Sequence, residues 1–282
     1  MEKITAVLLT VFNRKETTLL CLKSFHEQAV SLKMKFDIFL VDDGSTDGTF
    51  EAVSMQFPRV NLIKGTGDLF WGGGMRLAWN TAIKKKKYDF FLWLNDDTII
   101  LDNGLNNLFE DYKSVLKFKK EPFLITGACK KTNSNEFSYG GRNELGAIVP
   151  NGELQTCKYI NGNIVLVPFE VYEIIGILSE KYTHAIGDFD YGLRALRNNI
   201  NCYTTSSYVA MCDENPISGW MDSSVPFKKR RKLFFSPKGL NVKEFMYFTR
   251  KHYNFKRTIS VFFKVHLQVF FPKMYHKLKN KL

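Results

Sequence analysis

The 282-residue sequence predicts an α/β protein: a doubly wound mixed sheet with a Rossmann-like N-terminal half, followed by a basic amphipathic helical tail. Three observations predict it. Short apolar runs alternate with helical patterns through the first hundred positions. Two of those runs, 36–41 and 88–94, stop at adjacent carboxylates, Asp42-Asp43 and Asp96-Asp97. The charge is also divided: residues 227–282 hold 16 Lys and Arg against one acid, Glu244, so the tail carries +15 and the rest −3 within a net +12. A basic surface confined to the tail gives the tail its own electrostatic task.

In chain order, residues 4–9 read as the first strand. Thr10-Val11-Phe12-Asn13-Arg14 is then a polar turn into a helix able to bury Leu19, Leu20, Leu22, Phe25 and His26. After the second strand, Ser45, Thr46 and Asp47 suit the cap of a helix through Ala52-Val53, and 60–64 is a third strand. This β-α-β-α-β order calls for right-handed crossovers and a ligand crevice at the carboxyl ends of the strands. Gly65 to Arg76 opens a helix that ends at Lys84-Lys85-Lys86-Lys87, solvated cations at a helix C-terminus. Gly72-Gly73-Gly74 has neither P-loop nor G-x-G-x-x-G spacing and reads as close backbone approach beside a ligand, or as a flexible helix start. Trp71 and Trp79 read as core.

The strand 88–94 is the most apolar run and delivers Asn95, Asp96 and Asp97 to the crevice. Beyond it come a surface helix at 105–112, a strand at 123–128, a loop at 140–152, a strand at 159–167 and a helix after Pro168 that Gly176 ends. A further helix, 187–197, has Asp188 and Asp190 in its first turn, where acids are favoured by the dipole. His26 and His184 have no partner at metal-ligand spacing and read as structural. No internal repeat is present.

Five cysteines, odd in number, widely spaced and without C-x-x-C, exclude a disulfide framework and a zinc knuckle and indicate a reducing, cytoplasmic setting. The short N-terminal apolar run leads into Asn13-Arg14-Lys15-Glu16 with no cleavage site, so it reads as a core strand rather than a leader. In the tail, Arg257, Ser260, Lys264 and Gln268 fall at steps of three and four, one narrow polar stripe on a helix with a wide apolar face. That run is shorter than the roughly 20 apolar residues a bilayer crossing needs. It fits a helix lying at an anionic membrane surface, or one packed on the body or in a homodimer. Basic residues interleaved with aromatics also admit nucleic acid, but the helical stripe argues against it.

Four separated motifs resemble family 2 glycosyltransferases of GT-A fold, of the bacterial rhamnosyltransferase-like kind, over about residues 1–220. They are Thr10-Val11-Phe12-Asn13-Arg14, Val41-Asp42-Asp43-Gly44-Ser45-Thr46-Asp47, Leu94-Asn95-Asp96-Asp97 in place of D-x-D, and Gly187-Asp188 in place of E-D. The sequence departs from the family where Asn95 replaces an acid, Gly187 replaces a Glu, and Cys212-Asp213 stands where many relatives carry a histidine. The resemblance implies a transferase domain at 1–225, with 1–100 binding a nucleotide-sugar and 101–225 the acceptor, and a tail at 226–282.

The resemblance also implies roles. Asp97 would hold Mg2+ or Mn2+ together with the diphosphate of a dTDP- or UDP-sugar. Asn95 and Asp96 would reach the ribose or donor sugar, and Asp42 or Asp43 would accept the base N3–H. Thr10, Phe12, Asn13 and Arg14 would flank the base, Gly73 would lie beside the donor, and Asp188 would be the general base of an inverting transfer. The acceptor would be a growing surface glycan or lipid-linked precursor, met at the cytoplasmic face of the plasma membrane. Taken alone, Asp42-Asp43 is also an ordinary turn or cap and Asp188 an ordinary helix acid. Two other functions stand as alternatives: a nucleic-acid binder, and a sugar nucleotidyltransferase, whose glycine-rich first loop and nucleotide-binding lysine the first turn does not supply.

Overall fold

The alternating apolar runs become strands whose side chains enter two cores, one on each face of a single sheet. The computed structural model describes residues 3–215 and 219–279; Met1, Glu2 and residues 280–282 of the expected tail lie outside the described residues. The first half runs β1 (Ile4–Val11), α1 (Lys15–Ala29), β2 (Lys35–Asp42), α2 (Thr49–Gln56), β3 (Asn61–Lys64), α3 (Phe70–Lys85) and β4 (Phe90–Leu94). It continues with β5 (Ile99–Ile100), α4 (Gly104–Leu116), β6 (Phe123–Lys130), β7 (Arg142–Asn143), β8 (Gly146–Ala147), β9 (Gln155–Thr156), β10 (Ile164–Pro168), α5 (Phe169–Ile175), α6 (Gly187–Arg197) and β11 (Asn201–Met211).

The sheet order is β3-β2-β1-β4-β10-β6-β11-β5, with β9 also on β11. From β3 to β4 the strands are parallel, β10 is antiparallel to both β4 and β6, and β11 is parallel to β6. Covered on both faces, these strands carry apolar residues at nearly every position. In β4, Phe90, Leu92 and Leu94 face α1 and α4, while Phe91 and Trp93 face α3, α5 and α6. Trp79, Trp93 and Tyr191 form an aromatic cluster on the second face, with ring centroids 5.0 to 5.8 Å apart. α3 lies so close to β1 that a Cβ at Gly74 would fall 2.0 Å from Thr10 Oγ1, so the glycine run answers to packing there.

Two expectations change, and one strand is new. The strand expected at 159–167 begins only at Ile164, because 159–163 leave the sheet to serve the site described below. The 140–152 loop contains the β7-β8 hairpin. The eleven-residue β11 lies at 201–211, where no element is expected. Thr205 and Ser206 are paired inside, while the buried Thr204 hydroxyl has no partner: Thr205 Oγ1 accepts the Ala128 N–H at 2.9 Å, and Asp111 on α4 accepts the Ser206 N–H at 2.8 Å and hydroxyl at 2.9 Å.

The chain forms two compact units, Met1–Ser179 with Asp188–Glu214, and Glu180–Gly187 with Asn215–Leu282. The second unit holds α7 (Phe227–Phe235), α8 (Val242–His252), α9 (Phe255–Phe270) and α10 (Pro272–Lys279). Its small core is Trp220, Phe234, Val242, Val265 and Val269. Buried Arg230 donates to the carbonyls of Val225 and Val269, both at 3.2 Å, tying α7 to the end of α9. Glu244 accepts the Thr183 N–H at 3.0 Å and hydroxyl at 2.8 Å, which fastens α8 to 180–187. Among the described residues no helix is long and apolar enough to cross a membrane.

Candidate active site

The carboxyl ends of β1, β2 and β4 lie side by side, so the turns that follow them share one rim. Asn13, in the left-handed region at φ 52°, closes two of these turns on each other. Its N–H donates to Ser45 Oγ at 2.9 Å, and its Oδ1 accepts the Thr46 N–H at 2.7 Å. Thr10 is buried under Gly74, while Phe12 stands 42% exposed at the rim.

The two aspartates after β2 have different tasks. Asp43 is spent within the chain: Oδ1 accepts the Gly67 N–H at 2.8 Å and Oδ2 the Phe70 N–H at 3.0 Å, fastening the loop that leads into α3. Asp42 gives only Oδ1 to a neighbour, the Ser45 N–H at 2.7 Å, and its buried Oδ2 has no partner. A buried acceptor without a donor is costly, and an N–H brought to it would offset that cost. Gly73 is buried in the first turn of α3 and donates its N–H to Leu69, so it offers the rim nothing.

After β4, Arg14 reaches both acids, at 2.5 Å from Asp97 Oδ2 and 3.4 Å from Asp96 Oδ1. Burial, and then the charge of Asp97, push the Asp96 carboxyl up to about 7 against the pull of Arg14. Near neutrality Asp96 is thus only partly charged, and Arg14 is balanced chiefly by Asp97. Cys212 Sγ–H donates to Asp97 Oδ1 at 3.5 Å and accepts from Asn163 Nδ2 at 3.2 Å. Burial, reinforced by Asp97, holds its thiol far above the usual range, so it serves as a neutral donor.

No group of three or more His, Cys, Asp or Glu among the described residues is placed to hold a metal ion. Two adjacent carboxylates nonetheless fit the hard-oxygen share that Mg2+ or Mn2+ takes from protein when a diphosphate supplies the rest. The cation would have to contest Asp97 with Arg14.

On the far side of β4, Trp71 and Gly162 join the strand end to Asp188. The Trp71 indole N–H donates to Asn95 Oδ1 at 2.8 Å, and a Cβ at Gly162 would fall 2.6 Å from Trp71 Cζ2. The Gly162 N–H donates to Asp188 Oδ2 at 2.9 Å, and the Phe189 N–H to Oδ1 at 2.8 Å. Burial pushes the Asp188 carboxyl up to about 6 in spite of those two donors, a value suited to a base near neutrality. Asp190, two residues on, is fully buried and paired with Arg194 at 2.9 Å. Trp71, Gly162 and Asn163 escaped the sequence reading; the tryptophan beside the glycine run was the available signal.

Residues 6–162 match the sequence profile described as Glycosyl transferase family 2. Among solved structures the chain is similar to S. aureus TarS 1-349, with 17% identity and a TM-score of 0.51 over 75% of this chain and 60% of that one. The same protein in complex with UDP gives 17% and 0.52 over 78% and 62%. The mannosyltransferase PcManGT from Pyrobaculum calidifontis, in complex with GDP-Man and Mn2+, gives 13% identity and 0.56 over 99% and 83%. This chain thus spans about three fifths of the TarS 1-349 structure. At such identities the likeness speaks for the fold, an α/β architecture of GT-A type. No curated protein sequence matches the chain.

Proposed function

The chain belongs to glycosyl transferase family 2, and from that premise we propose that it moves a sugar from a nucleoside-diphosphate-sugar to an acceptor hydroxyl with inversion. The observation that carries the reading is the buried, unpartnered Oδ2 of Asp42 on the same rim as the Asp96-Asp97 pair. Asp42 Oδ2 accepts the N3–H of a uracil or thymine, with Phe12 beside the base. Asp96 and Asp97 face the diphosphate. A divalent cation held by Asp97 and the phosphates would supply the charge that makes the diphosphate a leaving group.

Asp188 takes the proton of the acceptor hydroxyl as its oxygen forms a bond to the anomeric carbon. The bond from that carbon to the diphosphate breaks, and its electron pair leaves on the phosphate oxygen. The resemblance to rhamnosyltransferase-like relatives favours a dTDP-rhamnose donor, with UDP-galactose or UDP-glucose the next choice. We assign the acceptor to a growing surface glycan or lipid-linked precursor, and residues 226–282 to contact with the anionic inner face of the plasma membrane.

Calorimetric titration of UDP, dTDP and GDP, with and without Mn2+, tests this directly. Binding of a uracil or thymine diphosphate that strengthens with Mn2+ and is lost in Asp97→Ala supports the reading. A protein that binds none of the three is not this transferase.

A further inference from the structure

We propose that Trp71 is the platform on which the transferred sugar ring lies, and that Asn95 and Gly162 are the residues that hold it there. The inference rests on the transferase reading above and adds a residue that neither the motifs nor the general base supply.

In an inverting displacement the acceptor oxygen attacks opposite the diphosphate, so the sugar must sit between the groups that hold the diphosphate and the base that takes the proton. Trp71 occupies that span. Its N–H is bonded to Asn95, next to Asp96 and Asp97. The neighbouring benzo edge, Cζ2 and Cη2, lies against Gly162, whose N–H is bonded to Asp188. Any side chain at 162 would drive into the ring, since a Cβ would meet Cζ2 at 2.6 Å and Cη2 at 3.0 Å. Trp93 abuts it edge-on, with centroids 6.1 Å apart and planes at 77°. The indole is thereby fixed along one edge and remains half-buried rather than enclosed.

A rigid, partly open indole is an inexpensive surface for a ring that presents C–H groups on one face, because the negative face of the aromatic quadrupole attracts them. The platform is set in advance, so little ordering is left to binding. Asn95 now has a reason of its own. Its amide oxygen accepts the indole N–H without placing a third carboxylate beside Asp96 and Asp97.

The test compares sugar-free and sugar-bearing ligands on the full-length protein. UDP, dTDP, UDP-glucose, UDP-galactose and dTDP-rhamnose are titrated with Mn2+ into wild type, Trp71→Ala and Trp71→Phe. The expected result is that Trp71→Ala keeps diphosphate affinity within about two-fold but loses affinity for the preferred nucleotide-sugar by about ten-fold or more, the scale of one lost stacking ring. Trp71→Phe, which keeps a ring, should recover most of it. Asn95→Ala should show the same selective loss to a smaller degree. If Trp71→Ala does not fold, the Trp71→Phe protein still decides through its emission. In wild type the nucleotide-sugar, and not the diphosphate, should alter tryptophan fluorescence, and in Trp71→Phe that change should vanish. Equal losses for diphosphate and nucleotide-sugar, or none for either, overturn the platform while leaving the transferase reading intact. A wild type that binds none of the five ligands removes both.

Discussion

Burial sets the working pH of Asp188, because a carboxyl pushed up to about 6 is in its basic form only above that pH. Transfer measured as kcat/KM should therefore fall about ten-fold per pH unit below roughly pH 6. In Asp188→Asn that acid limb should be absent and turnover about two to four orders of magnitude lower. A near-native Asp188→Asn enzyme would move the base elsewhere. Arg14 makes a second test. It sits on Asp97 at 2.5 Å, where a cation would bind, so Arg14→Met should raise the affinity of the nucleotide-free protein for Mn2+ several-fold, as read by calorimetry. Unchanged Mn2+ affinity would separate Arg14 from the metal position. The paired acids were legible in the sequence because an apolar strand ending in carboxylates is a pattern of composition. Which acid of the first pair faces the ligand was not. Asp42 and Asp43 are the same residue type, and only the closure of the 65–70 loop onto Asp43 separates them.

Strand content was legible where burial on both faces demanded apolar runs, as in β1, β2 and β4, and illegible where a buried strand is polar. β11 is that case. Thr204 and Thr205 are fully buried, and the ladder to β6 shifts register between Thr204 and Tyr208, leaving the Ser206 N–H to find its acceptor outside the sheet. Asp111 on α4 provides it, so the strand depends on a partner 95 positions away that no local pattern announces. Removing that acceptor leaves a part-buried donor unpaired, which costs about 1 kcal/mol, the low end for such a loss. Asp111→Ala should lower unfolding free energy by that amount in urea titrations, and Asp111→Asn, which retains one acceptor oxygen, should lose less. Equal stability of Asp111→Ala and wild type would mean that water replaces the carboxylate. The 159–163 segment was misread for a related reason. Its apolar residues suit a strand, but Gly162 packs against Trp71 and donates its N–H to Asp188 instead of to a neighbouring strand.

The division of charge seen in the sequence acquires a surface in the second unit. On α7, Phe227, Lys228, Arg231, Lys232 and Phe235 line a groove of about 550 Å³, and buried Arg230 anchors the helix from behind. Phe262, Phe263, Phe270 and Phe271 are exposed on and just after α9. Each Lys or Arg brought to an anionic bilayer contributes about 1 kcal/mol, and aromatic rings add shallow insertion, so a few contacts suffice for reversible attachment that salt weakens. Deleting residues beyond 257 would also take Val265 and Val269 out of the core shared with Trp220, Phe234 and Val242. Reversing surface charge is therefore the cleaner probe. Changing Lys228, Arg231 and Lys232 together to Glu should abolish co-sedimentation with phosphatidylglycerol liposomes and slow transfer to a lipid-linked acceptor. Transfer to a soluble acceptor should be unchanged, because none of the three residues belongs to the rim around Asp42 and Asp97. Wild-type binding should weaken as salt is raised and be absent on neutral phosphatidylcholine. Competition by oligonucleotides with no preference among lipids would point to nucleic acid instead. Liposome binding that survives the triple reversal would leave α7 without this role, and a concentration-dependent dimer lost on Phe270→Ser would assign the aromatic surface to a second copy of the chain.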